Sequence, residues 1–563
     1  MRSEADSPRR WFALLAVLCL AAFAPALRAG LFWDDHVVIR YDGPIADNAT
    51  FARLLTGRCV LFPEGAYNYF RPVVDLSFLL EFRVAEAHPL LYHLTNLALH
   101  LGNALLALGL LRRIPGVSPW AAFAGAALFS LHPLQVESVL WPAARPAMLA
   151  VLFAQLAALA ALGAMAASGA KRAALLAAGW LCYALSLGSK EVALVFGIAA
   201  GLSLAHPAAR ASAGRGALRL AVAGHLALLL GYLVFVRGTI GSLPSPLRDG
   251  LAVYLWRQLG AYGFYLRQLL WPMDLFPNYP IDWELHLGFG VAGAVVCGAV
   301  ALALWRAFRS SGPAGGLAFA GLLLLAGGTA ITHVVGQRVL ADRYLYQAVW
   351  GLAAAFAAGC GVAGPAALSA RGARLGLAAL AITAALSLRQ SLVWLSEESV
   401  WLHTIAIDRT NNAAHFNLGF INQRRRAWDA AILHLRESAE QHHPMPNYIA
   451  YRTEAAAAEA TILDDLGRSG EADAARRFVG LWPVFRQRAL VMRSVALFKR
   501  GDRRGALELA ARFRDDGAQD ALVHLDLALL HARAGGDPAV ARRQYERALE
   551  LGAPPVPELD ALR

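Results

Sequence analysis

Apolar runs of membrane-crossing length, separated by short polar breaks, occupy the chain as far as residue 393. They lie near 11–30, 90–111, 118–132, 146–167, 173–188, 192–206, 217–236, 287–305, 316–335, 344–363 and 375–393. A hydrocarbon core of about 30 Å takes roughly 20 apolar residues as a helix, so the pattern predicts about eleven spans. The stretch 251–272, "LAVYLWRQLGAYGFYLRQLLWP", breaks the pattern: Arg257 and Arg267 interrupt it and aromatics fill the gaps. That spacing predicts an amphipathic helix lying at the interface. Beyond about residue 394 the chain turns Ala-rich and charged, with amphipathic segments of helix length and short turns. The division predicted is therefore 1–393 in the membrane, with a first outer loop at about 31–89, and 394–563 as a helical tail.

Composition sharpens this reading. The chain has 563 residues, 57% hydrophobic and 16% charged, with mean hydropathy +0.45; soluble domains carry about 25% charged residues. A net charge of +12 would suggest nucleic acid in a soluble protein. Here the arginines fall in short loops, where they set orientation, and no nucleic-acid partner is expected. With Arg2, Arg9 and Arg10 in the cytoplasm, alternate loops hold Arg112–Arg113, Lys171–Arg172, Arg210/Arg215/Arg219, Arg306/Arg309 and Arg371/Arg374. Counting 251–272 as a span would reverse the later loops. Residues 11–30 end in the small-residue stretch "APALRAG", as a signal peptide would, but their length and the spans that follow favour a membrane helix. Cys19, Cys59, Cys182, Cys297 and Cys360 show no CxxC and no metal spacing.

This map sends the chain's unusual polar residues to one side. Asp34/Asp35, "LHPLQVESVLWPAARP", "GSKE" and "VVGQRVLADRYLY" all face away from the cytoplasm. Charge at the membrane edge is costly, so its gathering on one surface marks a site. Adjacent Asp34 and Asp35 where the chain leaves the first span suit a general base and a neighbour that binds or orients. Arg71, in "YNYFRPVVDLSF", helps cradle a polar ligand. In the short re-entry after 132, Arg145 suits phosphate oxygens with Glu137 fixing it, and His132 reads as mainly structural. Lys190, beside Glu191 in an apolar block, would snorkel or hold an anion. Arg338 and Arg343, with Asp342, Tyr344 and Tyr346, suit a lipid-phosphate headgroup; His333 is left as structural. There is no Walker loop and no dinucleotide fingerprint, which argues against an energy-consuming transporter. "NAT" at 48–50 is an uninformative glycosylation match.

The tail carries a degenerate repeat. In 414–444, Leu418 and Gly419 fall one helix before Ala431, as in a tetratricopeptide repeat (TPR). "DDLGRSGEADAARRF", "LFKRGDRRGALELA" and "ARAGGDPAVARRQYERALELGAPP" repeat the order of glycine turn then alanine helix. Ala431, Ala475, Ala506 and Ala541 then share one slot of close helix approach. A TPR-like α-solenoid is expected, with an unrelated helical bundle as the alternative.

The ordered set "FWDDHVVI", "YFRPVVDLSF", "HPLLYHLTNLALHLGNALLALGLL", "LFSLHPLQVESVLWPAARPAMLA", "SKEVAL" and "DRYLY", followed by the repeats, resembles the GT-C glycosyltransferases. In particular it resembles the transmembrane and TPR-containing O-mannosyltransferases and their bacterial relatives. The resemblance implies an all-α, multi-span fold with an acidic first outer loop, a polyprenyl-phosphate-linked sugar donor, and transfer to an acceptor outside the cytoplasm. It matches Asp34 and Asp35 to the paired acidic motif, and Arg145, Lys190 and Arg343 to basic positions near the donor phosphate. The expected activity is transfer of sugar to a hydroxyl of a protein or glycan acceptor, which the TPR-like tail would bind. No cofactor is required; a divalent metal, which the two carboxylates could hold, is not predicted. The alternatives are a non-catalytic TPR scaffold and a lipid or glycan transporter. High Ala, Arg and Gly usage points to a bacterial inner membrane with the site and the tail in the periplasm.

Overall fold

Proline sets where many of the helices begin. Its φ is already helical and it has no N–H to leave unbonded, so it suits the first turn; Pro72, Pro89, Pro119 and Pro146 all stand there. The computed structural model describes residues 8–39, 44–46, 54, 70–240, 250–279, 286–330, 340–362, 370–441, 446–480, 486–514, 521–551, 553 and 556–560. Among these, all regular structure is helical. The chain divides into two compact units, Met1–Val400 and Trp401–Arg563.

The first unit opens with α1 (Pro8–Phe23), the single turn α2 (Asp35–Val38), α3 (Pro72–Ala85) and α4 (Pro89–Leu111). Next come α5 (Pro119–Leu131), the short α6 (Val136–Leu140), α7 (Pro146–Ala166), α8 (Gly169–Leu187) and α9 (Ala193–Ser203). After them run α10 (Arg215–Ile240), α11 (Leu251–Leu270), α12 (Leu287–Arg309), α13 (Pro313–Ala330), α14 (Tyr346–Val362) and α15 (Ala370–Val393). Finally α16 (Glu397–Ile407) carries the chain past Val400.

Six of these helices are long and apolar enough to cross a membrane: α1 with its 3-10 extension to Arg28, α4, α7, α10, α12 and α15. The chain is thus an all-α, multi-pass membrane protein, with six such helices among the described residues where about eleven were expected. Part of the difference is helix length, and the expected spans at 316–335 and 344–363 extend beyond the described residues. The apolar runs at 118–132 and 192–206 form helices of only 13 and 11 residues, and His132–Pro133 and His206–Pro207 keep them from running on. Thirteen residues rise only about 20 Å. The helix α8 carries Lys171 and Arg172 in its first turn, which shortens its apolar length.

Small residues let these helices touch backbone to backbone. A Cβ on Gly321 would come within 2.6 Å of the Gly351 carbonyl, and one on Gly351 within 2.5 Å of the Gly321 carbonyl. The contact fastens α13 to α14 where no side chain fits, the packing mode favoured when lipid supplies no hydrophobic drive between helices.

The second unit is built of α17 (Asn412–Arg424), α18 (Trp428–Glu440), α19 (Pro446–Asp465) and α20 (Ser469–Gly480). It continues with α21 (Arg486–Lys499), α22 (Arg503–Ala510), α23 (Ala521–Ala534) and α24 (Pro538–Glu550). Within the pairs α17–α18, α19–α20, α21–α22 and α23–α24 the helices pack on one another. Ala431, Ala475, Ala506 and Ala541 are all buried. The glycines of the repeated turns adopt the left-handed conformation that ends a helix: Gly467 at φ 75°, Gly501 at 89° and Gly535 at 75°. Arg426 adopts it in the first of these turns, at φ 59°.

Candidate functional site

The turn after α1 divides the work of the paired carboxylates. Asp35 points inward and is fully buried. Its Oδ2 accepts from the Phe32 N–H at 2.9 Å and its Oδ1 from the Ala143 N–H at 2.8 Å, so it ties the exit of α1 to the re-entrant segment before α7. Burial pushes its pKa well above the ordinary carboxylate value, against the opposing pull of those two amides. Asp34 remains partly exposed and lies within electrostatic reach of Arg343. Trp33, just before it, is held at φ 42°, a sparse conformation for a bulky residue. Its indole lies flat on Trp141, ring centres 5.4 Å apart and planes 10° from parallel.

Arg343 sits opposite, in the 3-10 turn Asp342–Leu345 that leads into α14. Glu137 holds it twice: Oε2 accepts from the Arg343 backbone N–H at 2.8 Å and Oε1 from its Nη1 at 2.5 Å. The guanidinium covers the rings of Trp141 and Tyr344, 5.0 Å from each centre. The Lys190 ammonium approaches Tyr344 from its own loop, 5.4 Å from the ring centre. Beside it, Arg71 at the head of α3 grips Glu191 with two bonds, Nε–Oε1 at 3.1 Å and Nη2–Oε2 at 2.7 Å. Arg71 and Arg343 are thus neutralised by carboxylates. The Lys190 ammonium makes no hydrogen bond or ion pair among the described residues. Burial, then the neighbouring Arg71, lowers its pKa to about 7. Against burial, the same Arg71 lowers that of Glu191. A half-buried ammonium without a side-chain partner, within electrostatic reach of two fixed guanidiniums, can receive an anion.

Other expected site residues stand elsewhere. Arg145 is fully buried and does not pair with Glu137 as expected. Its Nη1 bonds Glu81 at 2.7 Å and Ser77 at 3.0 Å, its Nε Asn96 at 2.8 Å and its Nη2 the Tyr92 carbonyl at 3.1 Å. The cause is the short turn at Pro142–Ala144, which directs Arg145 back onto α3 and α4 while Glu137, on α6, faces the 342–345 turn. Tyr346, expected beside the headgroup arginines, faces the helix bundle instead. Its hydroxyl meets His100 Nδ1 at 2.9 Å and Asn103 Nδ2 at 3.1 Å, because three residues per turn separates it from Tyr344. Asp342 is buried and accepts from the Tyr279 hydroxyl at 2.9 Å. Burial, then Glu137, raises its pKa well above the ordinary range. His132 serves structure: Nδ1 accepts from the Leu134 N–H at 3.3 Å, and Nε2 contacts the Leu269 carbonyl at 3.2 Å.

Arg338, His333, Cys59, the "NAT" stretch and most of 40–69 lie outside the described residues. Among the described residues no three His, Cys, Asp or Glu side chains converge on a metal position. Sequence reasoning missed Glu81, Asn96, Trp141 and Tyr279. Trp141 stood in "VLWPAARP" with its Pro turn visible, but nothing there announced that its ring would be the floor between Trp33 and Arg343.

No family model matches the chain. It is distantly similar to the protein O-mannosyl-transferase Tmtc1 of Drosophila melanogaster, 31% identical over 127 residues, which are 22% of this chain and 15% of that protein. Human protein O-mannosyl-transferase TMTC2 is 26% identical over 141 residues, 24% of this chain and 17% of that protein. The matched stretch therefore spans less than a fifth of the length of these relatives. Among solved structures, ArnT from Cupriavidus metallidurans bound to undecaprenyl phosphate aligns over 99% of this chain and 88% of its own, with 16% identity and a TM-score of 0.35.

Proposed function

We propose that the protein is a membrane glycosyltransferase of GT-C type that moves a sugar from a polyprenyl-phosphate donor to a hydroxyl of a protein or glycan acceptor. The observation that carries this reading is the Lys190 ammonium, half-buried without a hydrogen-bonding partner among the described residues, within electrostatic reach of the paired cations Arg71 and Arg343. A lipid-linked phosphate needs such a receptor and no nucleotide fold. Asp34, near Arg343, is the general base. The acceptor oxygen forms a bond to the anomeric carbon as the bond from that carbon to the phosphate oxygen breaks. Asp34 takes the hydroxyl proton, and the electron pair leaves on the lipid phosphate, where Lys190 and Arg343 stabilise it. One displacement inverts the anomeric centre.

In this reading Arg145 acts through packing, holding α3 and α4 under the site, and Arg338 is a further phosphate ligand. The site faces the non-cytoplasmic side. The paired helices of the second unit are TPR-like repeats that bind the acceptor. The relatives' names denote mannosyl transfer, so polyprenyl-phosphate mannose is the first donor to test. Purified protein in liposomes with that donor and serine- and threonine-containing peptides should give a glycosylated product by mass spectrometry, and D34N should abolish it. Movement of the lipid sugar across the bilayer with no new glycosidic bond would replace this reading with a transporter. A D34N variant as active as the parent would remove Asp34 as the base.

A further inference from the structure

The segment joining α15 to α16 clasps the turn that carries Asp34. The Leu395 carbonyl accepts from the Gly30 N–H at 3.4 Å. Trp394 meets Phe32 edge to face at 5.6 Å and continues the stack of Trp33 and Trp141, its ring centre 6.4 Å from that of Trp141. Glu397, the first residue of α16, then reaches the turn twice. Its Oε1 accepts from the Trp33 N–H at 3.2 Å, and its Oε2 lies 3.4 Å from His36 Nε2. Its side chain is 14% exposed.

From these contacts we infer that Glu397 is a positioning residue for the general base, fixing the Trp33 backbone so that Asp34 is presented toward Arg343. The inference rests on the glycosyltransferase reading above. Trp33 occupies a left-handed conformation that a tryptophan adopts only when its surroundings hold it there. Trp141 holds the side chain; Glu397 holds the N–H, and through His36 it holds the far side of Asp34 as well. A carboxylate bridging residues 33 and 36 holds both sides of Asp34 and Asp35; Asp35 is already fixed by the Phe32 and Ala143 N–H groups, so the added restraint falls on Asp34. Misplacing a reacting group by about 1 Å costs on the order of a hundredfold in rate.

Three variants separate positioning from binding and from folding. E397Q keeps an oxygen for the Trp33 N–H. E397D keeps the charge but withdraws it by one methylene, and E397A removes both contacts. With polyprenyl-phosphate mannose as donor, E397A and E397D should lower kcat by tenfold to a hundredfold while the donor KM stays within about twofold. E397Q should recover most of kcat. Wild-type kcat in E397D, equal losses in E397D and E397Q, or a loss confined to KM would overturn the inference. If E397A does not fold, the ranking of E397Q above E397D decides alone. Failure of the parent protein to form product would instead count against the glycosyltransferase reading.

Discussion

Replacing Asp34 and Asp35 one at a time with asparagine should give two different failures. In D35N the side chain offers one oxygen where Asp35 now offers two. The new amide group would face either the Phe32 or the Ala143 N–H, donor against donor, in a fully buried position. A buried donor left unsatisfied costs about 1–3 kcal/mol, so D35N should unfold a few degrees below the parent in a detergent melt. At a temperature where it remains folded, it should still transfer sugar. D34N keeps the shape of a partly exposed side chain, so its cost in stability should stay under about 1 kcal/mol. Without a base, its turnover should fall by about 10²–10⁴. The paired assay is a melt and a single-temperature rate on each variant, normalised to folded protein. A stable, inactive D35N beside an active D34N would refute the division and move the base to Asp35.

Glu81→Ala should destabilise the first unit by about 3–5 kcal/mol, because it strands the fully buried Arg145 guanidinium; chemical denaturation tests this. Lys190, with its pKa held down at about 7, carries its charge below that pH and loses it above. The donor KM should therefore rise by up to about tenfold per pH unit above 7, a slope that K190R should abolish. Stability should move the opposite way, rising with pH, because the unfolded chain keeps that proton up to the ordinary value of 10.5. Tyr346→Phe should cost about 1–3 kcal/mol with unchanged kinetics, since it leaves His100 and Asn103 short of a partner. Tyr344→Ala should raise the donor KM severalfold with little loss of stability, as it removes the ring facing Lys190 and Arg343.

What could be read from the chain depended on range. The helical membrane character followed from the apolar runs, and the glycine turns of the tail from local chemistry, as Gly467, Gly501 and Gly535 show. Helix lengths were less legible: the apolar run at 118–132 forms a helix of 13 residues, Pro119–Leu131, shorter than a span needs. The convergence of Asp34, Lys190, Arg343 and Glu137 was suggested by the charge map, which expects all four on one side of the membrane. Their pairings were not, because partners such as Glu81 for Arg145 lie 64 positions apart. No local pattern states which carboxylate a distant guanidinium will choose. Likewise Tyr344 and Tyr346 look equivalent in "DRYLY" until a 3-10 turn sends them to opposite sides.

Glu137 grips the main chain of residue 343 as well as its guanidinium. Trimming the side chain therefore leaves a tether in place, and the loop need not wander when its cation is deleted. An R343A variant keeps that backbone bond but strands the buried Glu137 carboxylate, so any rate it loses has to be read beside the stability it loses.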